Sequence, residues 1–264
     1  MTDLDELLGL AARAARAAGD LLREGLDRPR TAVSTKSTPT DMVSEMDRAA
    51  EARLVEALLG ARPDDGMVGE EGTDRDGTSG VRWIVDPLDG TTNYLYRLPG
   101  FAVSIAAEVD GELAVGVVYD VVHDELFAGV RGGGATLNGD PIAASSATDL
   151  ARALVATGFS YEAARRRAQA QVLVEVIPDI RDIRRFGAAS VDLCAVACGR
   201  VDGYWERGLA PWDLAAGIVI AREAGAVVTD LHGGPPAGGA VVAAAPGIAD
   251  ALRARLLAAG ADRA

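Results

Sequence analysis

Cysteine, histidine and basic side chains are all in short supply in this chain. Cys194 and Cys198 are its two cysteines and His123 and His232 its two histidines, so a zinc site of the Cys/His type is not expected. The cysteines lie four apart in SVDLCAVACG, a helical spacing that makes them neighbours on one face, where ordinary core packing accounts for them. Lysine and arginine number 26 against 39 aspartates and glutamates, for a net charge of −13. That balance argues against nucleic acid, whose phosphates demand a basic surface. It does not exclude a small anionic substrate, because bound cations invert the local field. Phosphate chemistry here would have to lean on metals. No apolar run approaches the ~18 residues that span a bilayer, and the acidic start MTDLDELLGL lacks the basic segment of a secretory signal. The expected location is the cytoplasm.

Apolar residues, by contrast, make up 49% of the 264 positions. They can bury a sizeable core as one large domain or two tightly joined halves. The spacing of Leu4, Leu7, Leu8, Ala11, Ala12, Ala15 and Leu22 predicts an amphipathic helix over 4–24. A polar loop, TKSTPTD, follows. A second helix is expected from about Ser44 to Leu59, halted before Pro63. Strand patterns come next in VRWIVD, FAVSIAAEV and ELAVGVVYDVV, the last two joined by Asp110-Gly111, a hairpin signal. ELFAGVR reads as a further strand, before the glycines at 132–134 and the Asn138-Gly139 turn.

The second part alternates. Strands are expected in ALVATGF, IRRF, VDGYWE, AVVTD and AVVAA, and helices over 161–177, 188–198, 212–224 and 248–259. Gly199 and Gly225 stop two of the helices. The class is α+β leading into α/β, with sheets covered by helices: an N-terminal half at 1–145 and a C-terminal half at 146–264 of one domain. There is no internal repeat, linker or low-complexity segment. Arg165 to Arg167 lie in a polar helical stretch and read as a solvated face.

Carboxylates stand out at element boundaries. In WIVDPLDGTTNY an apolar run ends in Asp86 and Asp89. Pro87 forces Asp86 into an extended conformation, so Asp86 is expected to close its strand. Two carboxylates with the Leu88 carbonyl between them are hard oxygen donors that suit Mg²⁺. The amides of Gly90 and Thr91, in a turn or helix start, can hold an anion. A capped turn would explain the same residues. Glu70 and Glu71 in VGEEG follow the apolar pair Met67-Val68; such a pair is more often a solvent-facing loop. Asp47 in VSEMD fits the third position of a helix capped by Ser44. Asp213 in APWDLAAG sits at a helix start that favours an acid, beside Trp212, expected in the core. Brought together, these acids would repel one another and require a cation.

GEEG, WIVDPLDGTTNY and PWDLAAG resemble the signature motifs of the inositol monophosphatase family of Mg²⁺-dependent, lithium-sensitive phosphomonoesterases. Further matches run from KSTPTDMVSEMD to REAGAVVTD, in the family's order along almost the whole chain. The resemblance implies a layered αβαβα sandwich of the inositol monophosphatase/fructose-1,6-bisphosphatase type and a homodimer. It implies two to three Mg²⁺ per site: Glu70, Asp86 and the Leu88 carbonyl on the first, Asp86, Asp89 and Asp213 on the second, and Glu70 on a weaker third. Thr91, bonded to Asp47, would with Glu70 position and activate the attacking water. Phosphate would meet the Gly90 and Thr91 amides, and the substrate hydroxyls Glu206 and the backbone of Ala189. Asp89 and Asp213 also count among the substrate contacts. Lys36 matches a position near the metals.

The implied chemistry suits the composition. Metals clamp attacking and leaving oxygens of a phosphate monoester without a covalent nucleophile, and neither a glycine-rich ATP loop nor a cysteine–arginine phosphatase loop is present. GTTNY followed by YWERGLAPWDLAAG is most similar to the inositol-1-monophosphatase branch, with Glu206 as an acceptor for a polyol hydroxyl. Fructose-1,6-bisphosphate, histidinol phosphate and other sugar phosphates are the alternatives within the family. Arg184 and Arg185 would hold a second phosphate or pair at a subunit interface. A regulatory association with RNA polymerase, known for some bacterial members, is the alternative of a different class; nothing in this sequence marks that surface.

Overall fold

The computed structural model describes residues 2–26, 34–35, 42–43, 45–236 and 239–263. Lys36, Ser44 and nearly all of TKSTPTD lie outside the described residues. The first part runs α1 (Leu4–Gly25), β1 (Ser34–Thr35), β2 (Met42–Val43), α2 (Glu45–Ala61), β3 (Gly66–Gly69), β4 (Asp74–Arg75), β5 (Val81–Asp89) and α3 (Thr91–Tyr96). Then come β6 (Ala102–Val109), β7 (Glu112–Asp120), β8 (Glu125–Val130), β9 (Gly134–Leu137) and β10 (Asp140–Pro141). The remainder is β11 (Leu154–Thr157), α4 (Ala163–Val176), β12 (Asp182–Arg184), α5 (Ala189–Ala197) and β13 (Gly203–Arg207). It closes with α6 (Pro211–Glu223), β14 (Val227–Thr229), β15 (Ala240–Ala244) and α7 (Ala249–Ala258).

Two sheets carry the architecture. An eight-stranded sheet has the order β10-β9-β8-β7-β6-β5-β3-β4, and a five-stranded one the order β12-β11-β13-β15-β14. Asp110 (φ 52°) with Gly111 (φ 83°), and Asn138 (φ 51°) with Gly139 (φ 90°), turn the two hairpins where the sequence signalled them, because both central residues of such a turn need positive φ. In the larger sheet β3 pairs parallel with β5, an addition to the expected antiparallel meander. In the smaller sheet β12, β11 and β13 are parallel, and β15 pairs antiparallel with both β13 and β14.

Strand β6 shows how the layers arise. Val103, Ile105 and Ala107 face a core shared with α1 and α2, whereas Ala102 and Ala106 face a second core shared with α5 and α6. Both faces of the strand are covered, so apolar residues fill both sides of it, interrupted only by Ser104 and Glu108. A third core lies between the smaller sheet and the helices α4 and α7, around Trp205, Val242, Val172 and Leu252. The result is the expected αβαβα sandwich. Cys194 belongs to the middle core and Cys198 is a free, half-buried neighbour, so their core role holds.

The expected end of β5 at Asp86 needs correction. Pairing runs Asp86 opposite Ser104 and then Asp89 opposite Ala102, so β5 advances three residues while β6 advances two. Pro87 has no N–H for the ladder, and the strand answers with a bulge. The Leu88 amide turns back to Asp86 Oδ1 at 3.0 Å. The bulge keeps the chain in the sheet through both aspartates and re-aims their side chains.

Candidate active site

The bulged end of β5 is the centre of the site. Gly90 follows it with φ 89°, a conformation that a side chain disfavours, and a Cβ there would sit 2.6 Å from the Gly100 carbonyl. Thr91 then opens α3. Parallel pairing of Gly69 with Val85 sets Glu70, the residue after β3, beside Asp86. The Glu70 amide donates to the Val85 carbonyl at 3.3 Å. From the middle layer, Asp213 enters at the third position of α6, where its carboxylate accepts the Ala210 amide at 2.7 Å. The amide and hydroxyl of Ser190 in α5 both donate to Asp89 Oδ2, at 2.8 and 2.6 Å.

Glu70, Asp86, Leu88, Asp89, Gly90, Thr91, Ala189, Glu206 and Asp213 all line one cavity of about 300 Å³. Asp47 lies behind it, fully buried at the third position of α2, and accepts the Thr91 hydroxyl at 2.8 Å. The same hydroxyl lies 3.1 Å from the Leu88 carbonyl. The lining also includes Phe159, Tyr161, Arg185 and Trp212. Of these Trp212 was expected in the core; it packs partly against the middle core and shows its other side to the cavity. Among the described residues Arg185 is the one cationic side chain in the lining, whereas its neighbour Arg184 pairs with Asp182 at 2.8 Å. Ser190 was missed although it stands beside Ala189 in GAAS; its hydrogen bonds reach across 101 residues of sequence and leave no periodic trace.

The electrostatics are those of acids that resist ionising together. Burial pushes the Asp86 carboxyl well up, and the charges of Glu70, Asp89 and Asp213 and a hydrogen bond with Glu70 raise it further. Asp89 is raised to about 6 by burial, with the Ser190 bonds pulling the other way and the charge of Glu70 adding to the rise. Asp213 is also held well up, by burial and then by Asp89. Glu206 is raised to about 7 by burial, opposed by the Tyr204 hydroxyl, which donates to Glu206 Oε2 at 2.8 Å, and by Arg185. Among the described residues no group of three His, Cys, Asp or Glu side chains stands as a ready-made metal site. The donor set nevertheless fits a hard divalent cation: carboxylates and a backbone carbonyl around one cavity, each stabilised in its charged form by a positive ion.

The chain matches the inositol monophosphatase family over residues 3–261. It is 46% identical over 236 residues to an inositol-1-monophosphatase of Mycobacterium leprae, covering 85% of this chain and 81% of that one. It is 42% identical over 249 residues to the Nus factor SuhB of Pasteurella multocida, covering 93% of each. The solved structure of the extragenic suppressor protein suhB from Bartonella henselae matches with a TM-score of 0.91 at 39% identity, across 95% of this chain and 98% of that one. A layered sandwich with an acid-lined cavity at the end of its central strand, in this company, defines a phosphatase. The chain belongs to the inositol monophosphatase family.

Proposed function

We propose that this chain hydrolyses a phosphate monoester of a polyol, myo-inositol-1-phosphate, to the free polyol and phosphate, with Mg²⁺ and without a covalent intermediate. The observation that carries the reading is the convergence of Glu70, Asp86, Leu88, Asp89 and Asp213 on a cavity that also presents Thr91 and Glu206. Those five residues would hold two to three Mg²⁺, Glu70 helping with the third. Bound there, Mg²⁺ supplies Lewis-acid polarisation of the phosphoryl group and neutralises charge on the leaving alkoxide.

The protein's own groups do the rest. The Thr91 hydroxyl donates its proton to Asp47, which leaves the Thr91 oxygen as an acceptor for an O–H of the attacking water. Glu70, which lines the same cavity, takes the water's other proton as the water oxygen bonds phosphorus; the bond from phosphorus to the polyol oxygen breaks, and that oxygen takes a proton from solvent. Gly90 and Thr91 amides receive phosphoryl oxygens, with Asp89 and Asp213 at the edge of the substrate. Glu206 accepts a hydroxyl of the polyol near the Ala189 backbone. Trp212, Phe159 and Tyr161 wall the cavity and exclude water from the reacting groups. On the family resemblance alone, we further propose a homodimer acting in the cytoplasm. Among the described residues no helix is long and apolar enough to cross a membrane.

The test is a substrate panel of inositol-1-phosphate, fructose-1,6-bisphosphate, histidinol phosphate, glycerol-2-phosphate and NADP. Inositol-1-phosphate should give the highest kcat/KM, only with Mg²⁺, and millimolar-range Li⁺ should inhibit. Asp89→Asn should cost more than the ~10–100-fold that loss of a supporting group around a metal costs. Equal turnover in EDTA would refute the metal mechanism, and a better rate on another substrate would reassign the specificity. The similarity to the Nus factor SuhB supports a second reading, a regulatory association with the transcription machinery. Retention of RNA polymerase on the Asp89→Asn protein would separate that role from catalysis.

A further inference from the structure

A second polar cavity, of about 370 Å³, lies at the opposite end of the smaller sheet from the catalytic one and is lined by Ser145, Ser146, Thr148, Asp149, Arg152, Arg181 and Asp202. Its place follows from the parallel strands. Arg152 comes just before β11, Arg181 just before β12 and Asp202 just before β13. The catalytic lining residues Phe159, Arg185 and Glu206 come from the far ends of those strands. Four residues of strand put the two cavities about 13 Å apart along the sheet.

The charges in this cavity are unevenly committed. Both oxygens of Asp202 are taken, by the Ser145 hydroxyl at 2.6 Å and the Leu154 amide at 2.8 Å. Asp149 spends one oxygen on the Ala151 amide at 3.1 Å, capping the short 3₁₀ turn that leads into β11. The two arginines have no carboxylate partner among the described residues. Arg181 Nε donates to the Arg152 carbonyl at 2.7 Å, which anchors the exposed side chain and leaves its terminal nitrogens without a hydrogen bond among the described residues. The Arg152 guanidinium makes no hydrogen bond or ion pair among the described residues. In a chain of net charge −13, these two exposed guanidiniums share the cavity with Asp149 and Asp202 yet pair with neither among the described residues, which leaves them open to an oxyanion from solvent. Guanidinium forks match tetrahedral oxyanions bidentately, and the Ser146 and Thr148 hydroxyls add neutral donors.

We propose that this cavity is a second anion site that binds a phosphate dianion, free or carried by a small monoester, distinct from the catalytic cavity. Arg152 and Arg181 hold the oxyanion and the serine and threonine hydroxyls complete its shell. Asp149, with one oxygen uncommitted, limits the charge the site tolerates.

Equilibrium dialysis of the full chain with Mg²⁺ and radiolabelled inorganic phosphate tests it. Wild type should bind two phosphates per chain, and Asp89→Asn should keep the distal one. The double variant Arg152→Gln/Arg181→Gln should lose that one, at least tenfold in affinity, with kcat/KM on the catalytic substrate unchanged within twofold. Single Arg152→Gln, which breaks no hydrogen bond, should weaken it about fivefold and guards against misfolding of the double variant. In the Asp89→Asn protein, displacement of the label by glycerol-2-phosphate would show that a monoester enters; failure to displace would assign the site to the free ion. Succinate displacing the label as well as phosphate does, an arginine pair with no effect, or a single wild-type phosphate abolished by Asp89→Asn would each overturn the proposal.

Discussion

Glu206 is half-buried near other acids, and that position has a measurable cost. Its carboxyl is raised to about 7, against ~4.3 in an unfolded chain. Between those values the folded protein keeps a proton that the unfolded chain has released. The contribution of Glu206 to the stability of the metal-free protein therefore falls as pH rises through roughly 4.3 to 7 and is flat above. Glu206→Gln holds no such proton and keeps an acceptor for the Tyr204 hydroxyl. The metal-free variant is expected to match wild type near pH 4 and to exceed it by roughly 2–3 kcal/mol at pH 8, as read by urea denaturation. A difference that does not change with pH would mean the carboxylate is already ionised in the fold. The same substitution should weaken polyol substrates more than the phosphate common to them all. At this scale the acids were legible from their place at element boundaries. Ser190 and the cavity face of Trp212 were not, and Arg185 was named only beside Arg184 with its place undecided, since each reaches the site only through layers that pack in three dimensions.

Helix α6 depends on glycine in its neighbour strands. A Cβ on Gly116 of β7 would lie 2.4 Å from the Ala216 carbonyl, and one on Gly129 of β8 would lie 2.9 Å from the Ile220 Cα. Both contacts are with backbone, which cannot swing aside. The close approach seats the start of α6, and with it Asp213, over the end of β5. Gly116→Ala is expected to destabilise by roughly 1–3 kcal/mol and to lower kcat by displacing Asp213. Gly60, near the end of α2, has nothing within 4 Å of a built Cβ. Gly60→Ala should accordingly stabilise, by roughly 0.5–1 kcal/mol. Denaturation midpoints of the two variants should move in opposite directions, and a Gly116→Ala protein as stable as wild type would show that the layers are looser than drawn.

Across the whole molecule the middle core joins the two halves. Ile84, Ala102 and Ala106 from the larger sheet pack in one cluster with Leu193, Ala216 and Val241 from the later part of the chain. Neither half can bury its share of that cluster alone. We therefore expect one calorimetric transition, with calorimetric and van't Hoff enthalpies equal, and no folded fragment on cutting between residues 145 and 146. Two resolved transitions would make the halves separate domains.

The sequence by itself determined the longer helices and strands in their order, both hairpin turns and the acids that line one cavity, because periodicity, positive-φ turn residues and boundary carboxylates are local properties. It misjudged the end of β5, where the missing Pro87 N–H is met by a bulge instead of a stop, and it placed Trp212 wholly inside. Only the tertiary structure decided that β3 runs parallel beside β5 and so sets Glu70 against Asp86, and that Ser190 reaches Asp89. It also decided that Arg152 and Arg181 share a cavity. Those pairings join residues far apart in the chain, and the free energy that selects them comes from layers burying one another's faces, which no stretch of sequence carries alone.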